Sequence, residues 1–509
     1  MAGLDWAKST SSYNQYEEYR NLPRLLKRFS LDEKMRVACK YSAKVANFDQ
    51  IKKREDMQNT ALPWCLETFV MLSLEAKEYT DGNFLGNNEN RCRTMFNTIW
   101  NATSCLLDAS CGRFTFPDLF LPLTMMTQMP MQESYLIKLY RYRYVFTDNS
   151  CPVHLKDVFE KKFDAQYQDF LLLAETLYSL FFIQESSDIV IPGKVLDYLI
   201  LKRFPKATQN LLISRDEYVR LQRKYIDGST DPYKYVYSIR SSYQYAFVSE
   251  GDVFYFPLPH LIIQNVTTSL MYRITEGNDQ LRADIGKHIW EKYVLDILNE
   301  AGVYDEVYPE QKYTYSGSTA WSPDALARQG KHILFIDSKS TVPSIGIRIL
   351  KEGAFEKHID AVAKHIRKLY NQINRFRYYN PFNGEVSWDK SDCWGVIVVL
   401  EDSFISRDFY YEKAREMLKT EISDLEYEWI RTHIKVASLY DIEHISLSGQ
   451  SVIDVCIKAA EDNGASYSFP RILAKKTTFH SPKYQSFLDD LNCAFKELMY
   501  ELEREGCFK

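Results

Sequence analysis

The chain has 509 residues, of which 45% are hydrophobic, and a formal net charge of -5. This composition is typical of globular proteins and provides for several buried cores. The slight acidity excludes a chain-wide basic field that would attract nucleic acid or a membrane, so any nucleic-acid surface must be local.

The cysteines and the standard motifs exclude several classes of protein. Ten cysteines at scattered spacings form no Cys-x-x-Cys pair, so we expect reduced thiols and a cytoplasmic location. We expect no secretory signal, and the most apolar stretch, Phe170–Gln184, is too short to span a bilayer. The sequence contains no Walker A, His-Glu-x-x-His, Gly-x-Ser-x-Gly or Gly-x-Gly-x-x-Gly motif, which argues against the enzymes built on them.

The first half of the chain predicts mainly helices. Ser30 and Glu33 form a capping box at the start of an amphipathic helix over Leu31–Val45. Apolar residues recur at helical spacing over Asp164–Ile183. Core packing explains both apolar stripes.

The texture of the sequence changes near residue 230. Aromatic and polar residues alternate over Tyr233–Ile239 and Tyr245–Phe256, which predicts strands, with a hairpin turn at 250–252. A polar run over Thr275–Asp279 is typical of a turn and marks a domain boundary. Residues 1–279 are therefore expected to be a largely helical accessory or regulatory region.

The second half alternates helices and strands more regularly. Its predicted elements are helices over Leu281–Leu298, Phe355–Tyr378, Tyr410–Arg431 and Val452–Ala460, and strands over Glu306–Tyr315, Trp321–Arg328, Lys331–Ser340, Trp394–Leu400 and Ile434–Tyr440. A hairpin-connected front half followed by helix crossovers predicts a mixed sheet flanked by helices over residues 280–465. A C-terminal helical extension over 466–509, with a helix over Pro482–Glu505, completes an α+β or α/β chain.

Charged residues stand at the end of the strand that contains Ile333 and Phe335. Because side chains alternate along a strand, these two residues share one face with Asp337 and Lys339. The strand is apolar on both faces before Asp337, which predicts a central, buried position. A carboxylate and an ammonium there are costly unless they are paired or bound to a metal.

The hairpin brings a second carboxylate to the same face. A two-residue turn at Gln329 and Gly330 would pair Asp324 with Phe335 and place Asp324 diagonal to Asp337, roughly 7–8 Å away at the backbone. Two carboxylates with water and substrate oxygens suit Mg²⁺ or Mn²⁺.

A third acid, Glu291, lies on the preceding helix near the edge of its apolar face. Gly286 is five residues upstream, where a small residue allows the helix to approach the sheet. Taken alone, Glu291 would be interpreted as a solvated helix glutamate. The other two acids favour a functional role.

These motifs resemble the restriction-endonuclease-like, PD-(D/E)xK, nuclease superfamily. The matching residues are Pro323-Asp324, Asp337-Ser338-Lys339 and the helix segment 286–291. The resemblance covers Leu281–Asp462, roughly a third of the chain, and the order of elements is similar to the family core.

The resemblance implies a role for each matching residue. Asp324 and Asp337 would be metal ligands, Lys339 would serve the nucleophilic water, and Glu291 would be an auxiliary ligand or water-orienting base. The family often has Glu where Asp337 stands, so the reach is shorter here. The implied cofactor is Mg²⁺ or Mn²⁺.

A local excess of positive charge follows the candidate strand. Residues 331–378 contain ten Lys or Arg and four Asp or Glu. Such a cluster suits a groove that tracks a phosphate backbone, and the alternative interpretation is a solvated helix face. For His358 and His365 we favour phosphate contacts over metal ligation. The proposed nucleic-acid contacts are Lys357, Lys364, Arg367, Lys368 and Gln372.

The expected function is therefore metal-dependent phosphodiester hydrolysis, by an endonuclease acting on double-stranded DNA. Resemblance to nucleases of restriction and anti-phage defence implies that the accessory region senses, regulates or assembles, with a regulatory partner protein or a homo-oligomer. The alternatives are a catalytically silent nucleic-acid-binding or assembly protein on the same fold, and an RNA nuclease.

Overall fold

The structure is a computed structural model. It describes residues 21, 24–45, 63–76, 90–99, 133–149, 152–182, 193–225, 238, 240–343, 345–348, 351–382, 389–403, 405–418, 422–461 and 478–508. The strand predicted over Tyr233–Ile239 lies outside these residues except at Ser238.

The N-terminal half is mainly helical, as predicted. Its helices are α1 (Leu31–Val45), α2 (Pro63–Glu75), α3 (Tyr135–Thr147), α4 (Leu155–Phe163), α5 (Tyr167–Phe182), α6 (Gly193–Asp197, continued by a π-helical turn at Tyr198–Arg203), α7 (Pro205–Leu211), α8 (Arg215–Tyr225), α9 (Ile262–Val266) and α10 (Thr268–Thr275). Residues 90–99 are also helical. The Ser30 cap is confirmed, because its Oγ accepts from the backbone N–H of Glu33 at 3.2 Å.

A small sheet interrupts these helices. Its strands are β1 (Leu212–Ser214), β2 (Phe247–Glu250) and β3 (Val253–Tyr255). Strands β2 and β3 form the hairpin predicted from the alternating residues, and Glu250 pairs with Val253. Gly251 has φ 58°, which suits the first central position of a type II′ turn.

The second half forms the predicted mixed sheet with helices on its faces. Its strands are β4 (Glu306–Pro309), β5 (Lys312–Tyr315), β6 (Ser318–Trp321), β7 (Ala325–Gln329), β8 (His332–Lys339), β9 (Cys393–Val399) and β10 (Ile434–Ser438). Its helices are α11 (Asp279–Ile285), α12 (Glu291–Ala301), α13 (Ile345–Arg348), α14 (Ala354–Asn374), α15 (Arg407–Leu418), α16 (Asp424–His433), α17 (Leu439–Leu447), α18 (Val452–Glu461) and α19 (Pro482–Arg504).

Five strands form the central sheet in the order β10-β9-β8-β7-β4. The pairs β4–β7 and β7–β8 are antiparallel, whereas β8–β9 and β9–β10 are parallel. This pattern follows from the connections, because a short turn joins β7 to β8 and helices join the later strands. Strand β8 is therefore central, as its apolar sequence predicted.

Strand β8 separates two hydrophobic cores. Ile333 and Phe335 pack with α14 and α15 on one face, and Leu334 and Ile336 pack with α12 and α17 on the other. The alternation predicted from the sequence is confirmed. Gly395 on β9 lets α14 lie close to the sheet, because an added Cβ would stand 3.0 Å from a methyl carbon of Leu369.

Two predicted strands are each divided in the structure. The prediction gave one strand over Glu306–Tyr315 and one over Trp321–Arg328, but β5 and β6 form a separate two-stranded hairpin. Its turn, Ser316 and Gly317, has positive φ at both positions, as a type I′ turn requires. In the chain this hairpin lies between β4 and β7, which pair directly with each other in the central sheet.

Two predictions near the C-terminus were wrong in detail. Helix α17 begins at Leu439, where the prediction continued a strand to Tyr440. A capping box at Ser438 and Asp441 starts the helix there. The stretch predicted as helical over Tyr410–Arg431 is divided between α15 and α16.

The helices on either side of the predicted boundary near residue 280 are in contact. Helix α3 packs against α12 and α17, and the fully buried guanidinium of Arg141 donates to Glu443 at 2.7 Å. Tyr293 on α12 donates to the same carboxylate at 2.7 Å. None of the helices in the described ranges is both long enough and apolar enough to cross a membrane.

Candidate functional site

The candidate site lies at the C-terminal end of β8. Asp337 and Lys339 are among the last three residues of this central strand, and Asp324 directly precedes β7. Both aspartates are buried, Asp337 completely. The structure therefore brings together the residues that the sequence motif selected.

The predicted register of the hairpin was wrong by one residue on each strand. Gln329 pairs with His332, so Gly330 and Lys331 form the turn. Gly330 has φ 59°, and a type II′ turn requires glycine at this first central position. Continuing the register beyond Ala325 and Ile336 sets Asp324 opposite Asp337 rather than diagonal to it.

Lys339 connects the two carboxylates. Its Nζ lies 3.0 Å from Oδ1 of Asp337 and 3.3 Å from Oδ2 of Asp324, and it donates to the carbonyl of Ser338 at 2.9 Å. The backbone N–H of Ser338 donates to Oδ2 of Asp324 at 2.6 Å. The shared ammonium offsets the repulsion between two buried anions.

Helix α14 adds two nitrogen-bearing side chains that the sequence did not place at the aspartates. Lys368 Nζ donates to Oδ1 of Asp337 at 2.9 Å, and His365 Nδ1 lies 3.5 Å from Oδ2 of the same residue. The prediction assigned Lys368 to a phosphate groove. The three-residue spacing of His365 and Lys368 on one helix face was the available signal.

The electrostatic environment shifts the pKa values of the two aspartates in opposite directions. Burial and the neighbouring Asp337 raise the pKa of Asp324 to about 6. Burial alone would raise the pKa of Asp337 as well, but His365, Lys339 and Lys368 hold it well below its usual range. The aspartates raise the pKa of Lys339 despite its burial, so the ammonium stays charged.

Glu291 begins α12, directly after a π-helical turn over Gly286–Trp290. Such turns insert an extra residue and are frequent at functional sites. Burial and the charge of Asp324 raise the pKa of Glu291 to about 8. Gly286 faces the end of β8, where an added Cβ would stand 3.4 Å from Oγ of Ser340.

The remaining predicted residues lie on α14. Lys357, Lys364 and Arg367 are exposed, whereas Gln372 is buried and its Nε2 donates to the carbonyl of Trp321 at 3.1 Å. The prediction for His358 was wrong: it is buried in the core beside Tyr410, because it belongs to the apolar stripe of the helix.

A cavity of about 440 Å³ lies beside Lys368, and neither aspartate is among its described lining residues. Lys368 belongs both to its wall and to the ion pair with Asp337. The hairpin of β5 and β6 forms one side and α14 forms the other. The lining residues are Tyr313, Ala320, Trp321, Arg367, Lys368, Asn371, Gln372, Arg375 and Met417.

The residues present fit a hard divalent cation. Within the part of the chain that the structure describes, no three His, Cys, Asp or Glu side chains are grouped as a ready metal site. Mg²⁺, however, usually takes one or two carboxylates and completes its shell with water and phosphate oxygens. Apart from Nδ1 of His365 at 3.5 Å, the described residues give the buried Oδ2 of Asp337 no hydrogen-bond partner, so this oxygen retains acceptor capacity for a cation.

Comparison with known proteins provides no functional assignment, so a function must be argued from the site. No family model, no curated protein and no solved structure matches the chain.

Proposed function

We propose that the protein is a metal-dependent nuclease that hydrolyses phosphodiester bonds, with DNA as the first candidate substrate. The observation that carries the proposal is the pair of buried aspartates, Asp324 and Asp337, that share the ammonium of Lys339 at the end of a central strand. Buried charges of this kind are costly to fold and are concentrated at functional sites. The resemblance to the PD-(D/E)xK nucleases supports the same role.

Asp324 and Asp337 would hold Mg²⁺ or Mn²⁺, with Glu291 as an auxiliary ligand. The bound ion would activate water and stabilise the charge that develops on the phosphate. Lys339 would hold the attacking water through its ammonium and balance negative charge. With a pKa of about 8, Glu291 keeps its proton at neutral pH and adds no third negative charge before an ion binds.

The cations of α14 would bind the substrate backbone. Lys357, Lys364 and Arg367 are exposed on the helix whose Lys368 reaches Asp337. Their ammonium and guanidinium groups would neutralise successive phosphates. The helical region before residue 280 would regulate or assemble the enzyme, with a homo-oligomer or a partner protein, in a cytoplasmic defence role.

One observation favours a second function, a nucleic-acid-binding module without catalysis. Lys339 and Lys368 both contact Oδ1 of Asp337, so the ammonium groups occupy positions where a ligand cation would compete. In a silent protein, these ion pairs would replace the metal permanently. Metal-dependent activity therefore separates the two functions.

The test is cleavage of supercoiled plasmid, linear duplex, single-stranded DNA and RNA, with Mg²⁺, with Mn²⁺ and with EDTA. Wild type is compared with Asp337→Ala, Lys339→Ala and the control Lys331→Ala. Lys331 lies at the other end of the same hairpin and its side chain is 70% exposed. Metal-dependent cutting that the site variants lose and the control retains supports the nuclease. Binding without cutting in all four proteins supports the binding module.

A further inference from the structure

The hairpin of β5 and β6 presents an aromatic surface at the mouth of the cavity. Trp321 is 41% exposed although it is a large apolar residue. Two ammonium groups lie over its ring, Lys312 at 4.8 Å and Lys287 at 5.5 Å from the centroid. A planar group attached to phosphate would stack on this indole when the ammonium groups move from the ring to the phosphate.

The hairpin is held in a fixed position. Oγ of Ser322 accepts from the N–H of Gln311 at 2.8 Å, and the N–H of Ser322 donates to the carbonyl of Gln311 at 2.9 Å. Tyr313 packs against Tyr379 with their ring centroids 4.7 Å apart. Trp321 is therefore presented on a braced element rather than on a mobile loop.

Helix α14 anchors the hairpin at Trp321. Gln372 is 4% exposed, and its Nε2 donates to the carbonyl of Trp321 at 3.1 Å. This buried hydrogen bond fixes the backbone of Trp321 against the helix that forms the other side of the cavity.

The wall of the cavity is positively charged. Arg367, Lys368 and Arg375 line it, and no carboxylate is among its described lining residues. Arg375 also stacks on Tyr315, with its guanidinium carbon 4.2 Å from the ring centroid. The volume of the cavity, about 440 Å³, is within the range of small-molecule sites and accommodates one nucleotide.

We propose that this cavity binds an unpaired nucleobase of the substrate, stacked on Trp321, with its phosphate held by the cations of the cavity wall. The proposal rests on the proposed nuclease function and specifies its substrate class: nucleic acid with at least one unpaired nucleotide beside the scissile phosphate. Lys368 lines the cavity and pairs with Asp337, so its ammonium is the group that would direct the phosphate of the bound nucleotide toward the aspartates. A fully paired duplex keeps its bases inside the stack and cannot fill the cavity.

The test is a binding measurement with the full chain, using Ca²⁺ in place of Mg²⁺ to prevent cleavage. The probes are fluorescein-labelled single-stranded DNA and RNA of about 12 nucleotides, within the site sizes of known single-strand binders, and a hairpin-closed duplex of the same sequence. The variants are Trp321→Ala and Trp321→Phe. The control is Tyr500→Ala, which removes a 71% exposed aromatic residue from α19.

Trp321→Ala is expected to raise the Kd for single strands about tenfold, since stacking a base on an aromatic residue contributes this much or more. Trp321→Phe and the control are expected to stay within about threefold of wild type, because phenylalanine still stacks. The duplex Kd should change less than about twofold in every variant, since backbone contacts remain. Preference for the DNA or the RNA single strand identifies the source of the unpaired nucleotide.

A second readout does not depend on the stability of Trp321→Ala. Stacking of a base on Trp321 should quench tryptophan emission, and Trp321→Phe should lose that quench while it still binds. Equal single-strand affinity in wild type and Trp321→Ala, or an unchanged quench in Trp321→Phe, would overturn the proposal even if the enzyme cuts DNA. Tight single-strand binding that depends on Trp321, with no cleavage when Mg²⁺ or Mn²⁺ replaces Ca²⁺, would support it and refute the nuclease function.

Discussion

Replacing Lys339 with Met tests whether its ammonium holds the two aspartates together. Met is one atom shorter than Lys but keeps an unbranched apolar stem, so the main change is the lost ammonium group. The carboxylate of Asp337 would keep Lys368 as a partner, whereas Asp324 would keep, among the described residues, the N–H of Ser338 as its one hydrogen-bond donor.

The size of the effect follows from burial. Removing one partner of a buried ion pair costs about 3–5 kcal/mol. The side chain of Lys339 is 20% exposed, so water reaches the site and the lower end, about 3 kcal/mol, applies. In EDTA, the amides of β8 should then exchange hydrogen about 150-fold faster than in wild type, since each 1.4 kcal/mol is tenfold.

Divalent cations should reverse this loss, because a bound ion would supply the missing positive charge. Mg²⁺ at about 100 times its Kd raises the free energy of unfolding by ~2.7 kcal/mol. Hydrogen exchange read by mass spectrometry in EDTA and in Mg²⁺ measures both effects. Lys331→Met is the control and should change the exchange of β8 by less than about 1 kcal/mol, because its pair with Asp392 is at the surface. Unchanged exchange in Lys339→Met, or a loss that Mg²⁺ does not reduce, would refute the reasoning.

Three further predictions concern the scaffold. Burial lowers the pKa of His358 from 6.5 to about 4, so the unfolded chain takes up its proton first as the pH falls. Between these values the free energy of unfolding should fall by about 3 kcal/mol, and His358→Phe should remove that slope in urea titrations. Gly395→Ala should destabilise the fold by about 1–3 kcal/mol in thermal melts, because the new Cβ meets Leu369; unchanged melting would show that α14 moves freely. Arg141→Met should cost about 3–5 kcal/mol by calorimetry, and adding Glu443→Gln should recover part of it.

The sequence predicted the faces of the hairpin but not its register. Shifting a two-residue turn by one position changes the partner of each residue by two positions. Because side chains alternate along a strand, Asp324 and Asp337 therefore share a face in either register. Their separation, in contrast, depends on which residues form the turn. The positive φ that Gly330 adopts at the first turn position would have selected the observed register.

Contacts between elements that are distant in the chain could not be predicted from the sequence. The apolar stripe of α14 predicted which side of the helix is buried, but not how far the helix is displaced along the sheet. That displacement sets Lys368 against Asp337 and buries Gln372 beside Trp321. The hairpin of β5 and β6 was missed because its tight turn lies inside an otherwise continuous alternation of aromatic and polar residues.

The helix that begins with Glu291 is fastened along its length to α3. Lys292 donates to Asp148 at 2.7 Å, Tyr144 to Asp296 at 2.5 Å and Tyr140 to Glu300 at 3.1 Å. These bonds couple the positions of the two helices, and Glu291 lies at the N-terminal end of α12. A ligand or partner that tilted α3 would therefore reposition an acidic group of the candidate site without touching the central sheet.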